Sequence, residues 1–468
     1  MRSEDLSYFE EEEFKEALAQ YESALSEGRQ VYMDADELTD IAEYYMVNER
    51  EPDATECINL AVQLHPDAID PQVFLSRQQM FHGNMKAARR IAKAIDDQND
   101  REVQFLWAEI LIKEGRQEEA YHRLQAYYET LEEDKDLFLY DAAGVFMDYD
   151  EWETATLWAK QLKKEFPKFK KTDILLSDIM VCCGKVSEAV TLLDDILSQE
   201  PFNKEAWNLM AEAQSGQEHY SEALEAIEYL LALDEKNEQA KLIRANCLFH
   251  LNRMTEAFLQ YEDYLKRNPK DVSAIFFASV TLSNLGFYED SYEMLSKAYE
   301  LTTEDSPERS RIYLQYSFLA SKTKGLREAL DYLDKCYEAE GRKQDSDYFL
   351  LQGQYHLENG KPFMAEALFQ TALDISDDQQ TTKLMIAITF AENDEFETAT
   401  DILEKLMDSD MPEKEARCLP YLAYCTHFIA IHPMRKVYFQ QAMTYNPELT
   451  RSLFAIINPN KPLEEHEK

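Results

Sequence analysis

The sequence predicts an all-α fold, a right-handed α-solenoid or superhelix of about thirteen helix-turn-helix repeats. Three observations carry that prediction. A 34-residue period runs along the chain, with small residues at positions 8 and 20 of each copy, a bulky one at 24 and usually a small one at 27. One copy places Ala245, Ala257, Tyr261, Tyr264 and Pro269 in this register; the copy before it places Ala211, Ala223, Ile227 and Leu230, and the copy after it Ser279, Ser291, Leu295 and Ala298. Glycine and proline are scarce, 11 and 14 among 468 residues, and recur at fixed offsets. Finally, 45% hydrophobic and 12% aromatic residues supply a core that neighbouring repeats can share.

The offsets explain the elements in turn. Gly83, Gly115, Gly184, Gly286 and Gly360 fall at position 15, where the first helix of a copy must end in a left-handed residue that glycine adopts without a Cβ clash. Pro66, Pro167, Pro201 and Pro269 fall at position 32, just past the second helix, where proline stops propagation. A degenerate repeat at 1–34 keeps Ala17, Tyr21 and Ala24 of a second helix. Eight repeats fill 35–305, at 35–68, 69–100, 101–134, 136–169, 170–203, 204–237, 238–271 and 272–305. TTEDSPER then lengthens one connection, where a bend is expected, and four more repeats fill 306–449, at 310–343, 346–379, 380–413 and 416–449. The last is irregular, with Arg435 at the small position 20 and Pro433 in its turn. Residues 450–457 read as a capping helix and 458–468 as a polar tail. Positions 8, 20 and 27 are small because the helices cross most closely there; a bulky residue at Ala223 or Ala257 would overpack the crossing by ~1–3 kcal/mol.

The pattern resembles the tetratricopeptide repeat family over roughly residues 1–450. Phe349, Gly353, Ala365, Phe369 and Ala372 form one good copy of the family's signature; Leu38, Ala42, Tyr45, Ala54, Ile58, Ala61 and Pro66 form another, and Trp207 stands at position 4 of a third. The resemblance implies a ligand groove on the concave face, lined by first-helix positions 2, 5, 9, 12 and 13. It also raises the carboxylate clamp of chaperone-binding members, built on lysines, asparagines and an arginine. Position 5 of this chain never carries lysine, and Leu242 stands where the clamp before Asn246 needs a cation. Capture of an acidic chaperone C-terminus is therefore not expected.

Charge narrows the partners. With 91 acidic against 48 basic residues, a net of −43, the chain repels DNA, RNA and anionic membrane surfaces and attracts basic protein faces. Its apolar runs fall far short of the roughly 20 residues that cross a bilayer. Seven cysteines without metal or disulfide spacing fit reduced thiols, and the N-terminus has no apolar leader, so a cytoplasmic protein is expected. No phosphate-binding loop, HExxH or GxSxG is present, and the loose set Cys418, Cys425, His427 and His432 lacks zinc spacing. No cofactor or metal is expected, and no catalysis.

Two stretches of the inner face are candidate partner-binding residues. Leu242, Asn246, Phe249, Phe276, Val280, Leu314, Phe318, Leu350, Leu384, Ile388 and Tyr424 make an apolar stripe in the C-terminal half, either a groove or lateral packing between repeats. Asp36, Asp40, Glu43, Asp70, Glu102 and Glu109 make an acidic stretch in the N-terminal half, either a site for a basic ligand or a solvated face. One basic island, Lys160, Lys163, Lys164, Lys168, Lys170 and Lys171, is either a docking patch for an acidic surface, another copy's N-terminal region included, or a solvated helix end. The expected function is a non-catalytic scaffold or adaptor binding a protein or peptide partner. Alternatives are a co-chaperone or assembly factor for basic or unfolded clients, a self-associating array, and an enzyme with a site in the last repeats.

Overall fold

The computed structural model describes residues 8–9, 11–29 and 31–457; the expected tail at 458–468 lies outside them. Among the described residues are 26 α-helices and no strand. They group into two compact units, Met1–Glu235 and Lys236–Lys468. In the first, α1 (Glu12–Ser26) is followed by six hairpins: α2 (Ala35–Val47) with α3 (Glu51–Leu64), α4 (Ile69–Phe81) with α5 (Met85–Ala94), α6 (Arg101–Lys113) with α7 (Gln117–Thr130), α8 (Lys135–Met147) with α9 (Trp152–Glu165), α10 (Thr172–Cys182) with α11 (Val186–Gln199), and α12 (Lys204–Gly216) with α13 (Tyr220–Leu233). In the second are α14 (Glu238–His250) with α15 (Met254–Arg267), α16 (Val272–Asn284) with α17 (Tyr288–Leu301), α18 (Glu308–Thr323) with α19 (Leu326–Ala339), α20 (Ser346–Glu358) with α21 (Pro362–Ile375), α22 (Gln379–Glu392) with α23 (Phe396–Met407), and α24 (Lys414–Phe428) with α25 (Arg435–Tyr445). Helix α26 (Pro447–Ile457) closes that unit.

Several first helices begin on side chains that accept the orphan N–H groups of the opening turn. Asp100 accepts from Glu102 and Val103, Asn203 from Ala206, Asn237 from Ala240 and Asp271 from Ala274. Most first helices end on a left-handed residue. The five expected glycines have φ between 68° and 83°, and Glu49, Asp150, Glu218, Asn252 and Asp394 hold the same place with φ between 57° and 63°. The bonding is the same in both sets: Asn84 N–H reaches Gln79 O at 2.8 Å after Gly83, and His219 N–H reaches Gln214 O at 2.9 Å after Glu218.

Every hairpin but the last, which carries Arg435 at this place, closes on a crossing of small residues. Ala42 and Ala54, Ala143 and Ala155, Ala211 and Ala223, and Ala245 and Ala257 are all fully buried. Serine at this place satisfies its hydroxyl on the facing backbone: Ser76 Oγ donates to Ala88 O at 3.0 Å, Ser279 Oγ to Ser291 O at 2.9 Å and Ser317 Oγ to Ala329 O at 2.7 Å.

The long connection after α17 is clipped by one residue. Arg309, 5% exposed, donates to the carbonyls of Tyr299, Thr302 and Thr303, and its guanidinium carbon lies 3.8 Å from the Tyr299 ring centre. The closing helix begins at Pro447 rather than at 450, because proline suits the first helical position and Asn446 Oδ1 accepts the Leu449 N–H at 3.1 Å. Its Phe454 packs edge-on against Phe439 and His427.

Gly353 marks the tightest crossing, since a Cβ there would lie 2.4 Å from the buried Phe369 ring. Gly353→Ala is expected to destabilise the second unit by ~1–3 kcal/mol, read as a lower thermal midpoint by circular dichroism, with Phe369→Leu in the same chain recovering part of the loss.

Candidate functional site

Four successive first helices, α2, α4, α6 and α8, surround a hollow of about 930 Å³ lined by Glu43, Phe74, Arg77, Phe105, Tyr140 and Tyr149 among others. A smaller hollow of about 130 Å³ adjoins it, sharing Glu43, Phe74, Arg77 and Glu102 and adding Asp36, Asp40 and Asp70. Stacking places these side chains together, because each first helix presents the same face as its predecessor. Phe81, at the rim, is three-quarters exposed.

Arg77 forms the floor. Its Nη2 donates to Glu109 at 2.7 Å, its Nε lies 3.1 Å from both Glu109 oxygens, and Nη2 reaches Glu102 at 3.4 Å. Burial alone would lower its pKa, but Glu109, Glu102 and Glu43 more than offset this and hold it above its ordinary value. Glu109 is 8% exposed, while 38% of the Arg77 side chain still meets solvent, as expected of a charge at the base of an open concavity. Nearby, Arg101 pairs with Asp141, and Lys113 lies 5.2 Å over the Tyr149 ring.

The remaining carboxylates crowd one another. Burial raises the pKa of Asp70 above the usual carboxylate value, helped by Asp36, Glu102 and Asp100, with Asp36 close enough to share a hydrogen bond. Burial raises Asp40 too, with Asp36 and Glu37 adding to it, although a 2.9 Å hydrogen bond from Tyr8 OH acts the other way. That bond in turn is the main cause of the Tyr8 hydroxyl being pushed up to about 12.

The acidic residues read from sequence meet unequal fates. Asp36 is exposed, Asp40 and Glu43 are half-buried, and all three share the smaller hollow with Asp70 and Glu102. Glu109 must be corrected: it is no open carboxylate but the buried partner of Arg77. Arg77 itself went unremarked in the sequence, although position 9 of successive copies reads Glu43, Arg77, Glu109, an alternation of sign across neighbouring helices. The aromatic residues Phe74, Phe81 and Tyr149 were likewise unremarked.

In the second unit, Leu242, Asn246 and Phe249 on α14, Phe276 and Val280 on α16, Phe318 on α18, Leu350 on α20, Ile388 on α22 and Tyr424 on α24 are half-buried, and Leu314 is 40% exposed. Phe276 and Phe318 lean on a core of Ile275, Leu295, Ile312, Tyr316 and Leu319, and the Arg311 guanidinium carbon lies 4.7 Å from the Phe276 ring centre. Phe249 meets Phe277 edge-on at 5.6 Å. Asn246 Oδ1 accepts from Tyr261 OH at 2.6 Å, so its oxygen serves its own hairpin. Leu384 needs correction: at 4% exposure it belongs to the core with Phe369 and Phe390, and it interrupts the stripe.

In the basic island Lys160, Lys164, Lys168 and Lys170 are exposed, Lys163 pairs with Asp173 at 2.6 Å, and Lys171 Nζ lies 5.8 Å over the Tyr140 ring. Among the described residues no three His, Cys, Asp or Glu side chains converge as metal ligands, and no helix is long and apolar enough to cross a membrane. Cys418 and Cys425 are buried, and that burial pushes their thiols up to about 11 and about 12. His427 Nδ1 instead meets Arg435 at 2.8 Å.

The described residues form an all-α array of helix hairpins, and in the first unit successive first helices present one face. The hairpins resemble tetratricopeptide repeats, and the profile of that family matches residues 209–272. Protein O-mannosyl-transferase TMTC1 of Mus musculus is 30% identical over 112 residues, 23% of this chain and 12% of that protein. A tetratricopeptide repeat protein from Parabacteroides merdae is 18% identical, with 55% of this chain and 98% of that one aligned at a TM-score of 0.41. A chain of the APC/C hetero-tetramer Cut9–Hcn1 is 11% identical, with 93% and 96% aligned at a TM-score of 0.36.

The raised Asp70 value sets a pH test. A carboxyl that binds its proton more tightly in the folded than in the unfolded chain costs stability once both states are ionised. Asp70→Asn is therefore expected to raise the thermal midpoint at pH 7, and the gain over the parent should vanish as pH falls below about 4, where the unfolded aspartate is protonated too.

Proposed function

We propose that this chain is a non-catalytic, cytoplasmic scaffold that holds a basic segment of a partner protein in the acid-lined hollow of its first unit. One observation carries the reading: eight carboxylates against two cations line the joined hollows, interleaved with Phe74, Phe105, Tyr140 and Tyr149. Lysine and arginine suit such a lining, because their heads pair with carboxylates while their alkyl stems and guanidinium planes lie against aromatic rings. The Arg77–Glu109 pair is an internal instance of the same recognition. Buried and free cysteines support the cytoplasmic part of the reading.

Isothermal titration with an arginine- and lysine-rich peptide tests this. Asp36→Asn, Asp40→Asn and Asp70→Asn together are expected to weaken binding roughly tenfold, at ~0.2–1 kcal/mol per exposed pair, and to flatten its salt dependence. Equal affinity for the parent and the triple variant would remove the reading.

A second face is proposed for an apolar partner segment, on the half-buried Phe276 and Phe318 and the exposed Leu314 of the second unit. Phe276→Glu with Phe318→Glu is expected to abolish capture of an amphipathic helical peptide while leaving the helical melt intact. A collapse of the melt would mean these rings serve only the core.

A further inference from the structure

The lysine-rich corner between α9 and α10 is the feature that the proposed scaffold function leaves unused. Six of the chain's 48 basic residues lie within 160–171, on a protein of net charge −43. Lys160, Lys164, Lys168 and Lys170 are exposed there, and Lys171 of the same run ties the corner to the acid-lined hollow. Lys171 Nζ lies 5.8 Å over Tyr140, whose ring lines the hollow. A cationic patch and an anionic concavity thus sit side by side on the first unit.

We propose that two copies of this chain pair through these patches, the lysine corner of each seated in the hollow of the other. This rests on the reading of the hollow as a site for basic segments, and names one such segment. Adjacency is what favours a second copy over an unrelated acidic partner. Neighbouring patches of opposite sign become self-complementary under a two-fold axis, because each contact is then made twice, once in each direction. Exposed Asp36 and Asp148 on the acidic side face the open solvent in which Lys164 and Lys168 of a second copy would arrive. Net charge opposes this association, since two copies of −43 repel at long range. The opposing effects differ in reach. Repulsion between whole molecules acts over longer distances than close pairs do, so it fades first as added salt shortens the Debye length, whereas close pairs are screened later. Association should therefore pass through a maximum as ionic strength rises, unlike simple steering by opposite charges, which only weakens.

Sedimentation velocity on the full chain, across salt and protein concentration, tests the proposal. The parent is expected to dimerise with that maximum. Lys164→Glu with Lys168→Glu, and separately Asp36→Lys with Asp148→Lys, should each weaken the dimer roughly tenfold or more. An equimolar mixture of the two variants should recover it, because both contacts of the mixed pair then join opposite charges. A misfolded variant could not be rescued by mixing, so recovery also answers for the fold. A chain monomeric at every salt, or a dimer indifferent to both charge reversals, overturns the proposal. Titrating the same samples with the basic peptide separates the two readings: peptide binding by a chain that never dimerises retires the self-pairing alone, and loss of both retires the hollow as a site.

Discussion

Everything in this protein depends on how closely two helices can cross. At the crossing of every hairpin but the last, where Arg435 stands, the facing residues are alanine, serine or glycine, and they are buried. Bulk at that point would push the helices apart, and every hairpin downstream would be displaced with it. At Gly353 even one methyl group meets the Phe369 ring. Serine stands there with its hydroxyl satisfied, on the opposite backbone carbonyl at Ser76, Ser279 and Ser317 and on its own helix at Ser177, which donates to Asp173 O. The period of the sequence is the trace of this packing limit.

The same limit frees the rest of the surface. Since the crossing and the bulky residues around it hold each hairpin, the outward face of each first helix carries little of the folding load. In the first unit that face has filled with charge and in the second with half-buried apolar residues. The first unit shows a cost for this. Burial raises the proton affinity of Asp40 and Asp70, Asp36 adds to both, and only Arg77 and Lys113 among the lining residues are cations. Such local disagreement with stability is in keeping with the proposed partner site. The Arg77–Glu109 pair limits the tension by fixing two charges at the base, where losing either partner would strand the other.

Local chemistry adapts where the repeat falters. The long connection after α17 would leave carbonyls of that helix end unsatisfied, and Arg309 supplies donors to three of them while stacking on Tyr299. The turn between helices demands a left-handed residue in most hairpins, yet glycine fills only some of those places. Glu218 and Asp394 adopt the same φ, at a strain that hairpin packing absorbs.

The helix hairpins, the small crossings and the acidic first-helix stretch were legible in the sequence, because periodicity reports which face a residue lies on. What a face does was not. Glu109 and Asp36 read alike along the chain, but one is sealed by Arg77 and the other open to solvent, a difference made by a helix 32 residues away. Leu384 and Leu314 read alike too, and neighbouring helices bury one and expose the other. The sequence alone determined the period, the helices and the chemical character of each face, since these follow from local spacing. Only the tertiary structure decided which charges cancel, which apolar groups stay uncovered and that the lysine corner borders the hollow, since those depend on distances between helices that no local spacing encodes.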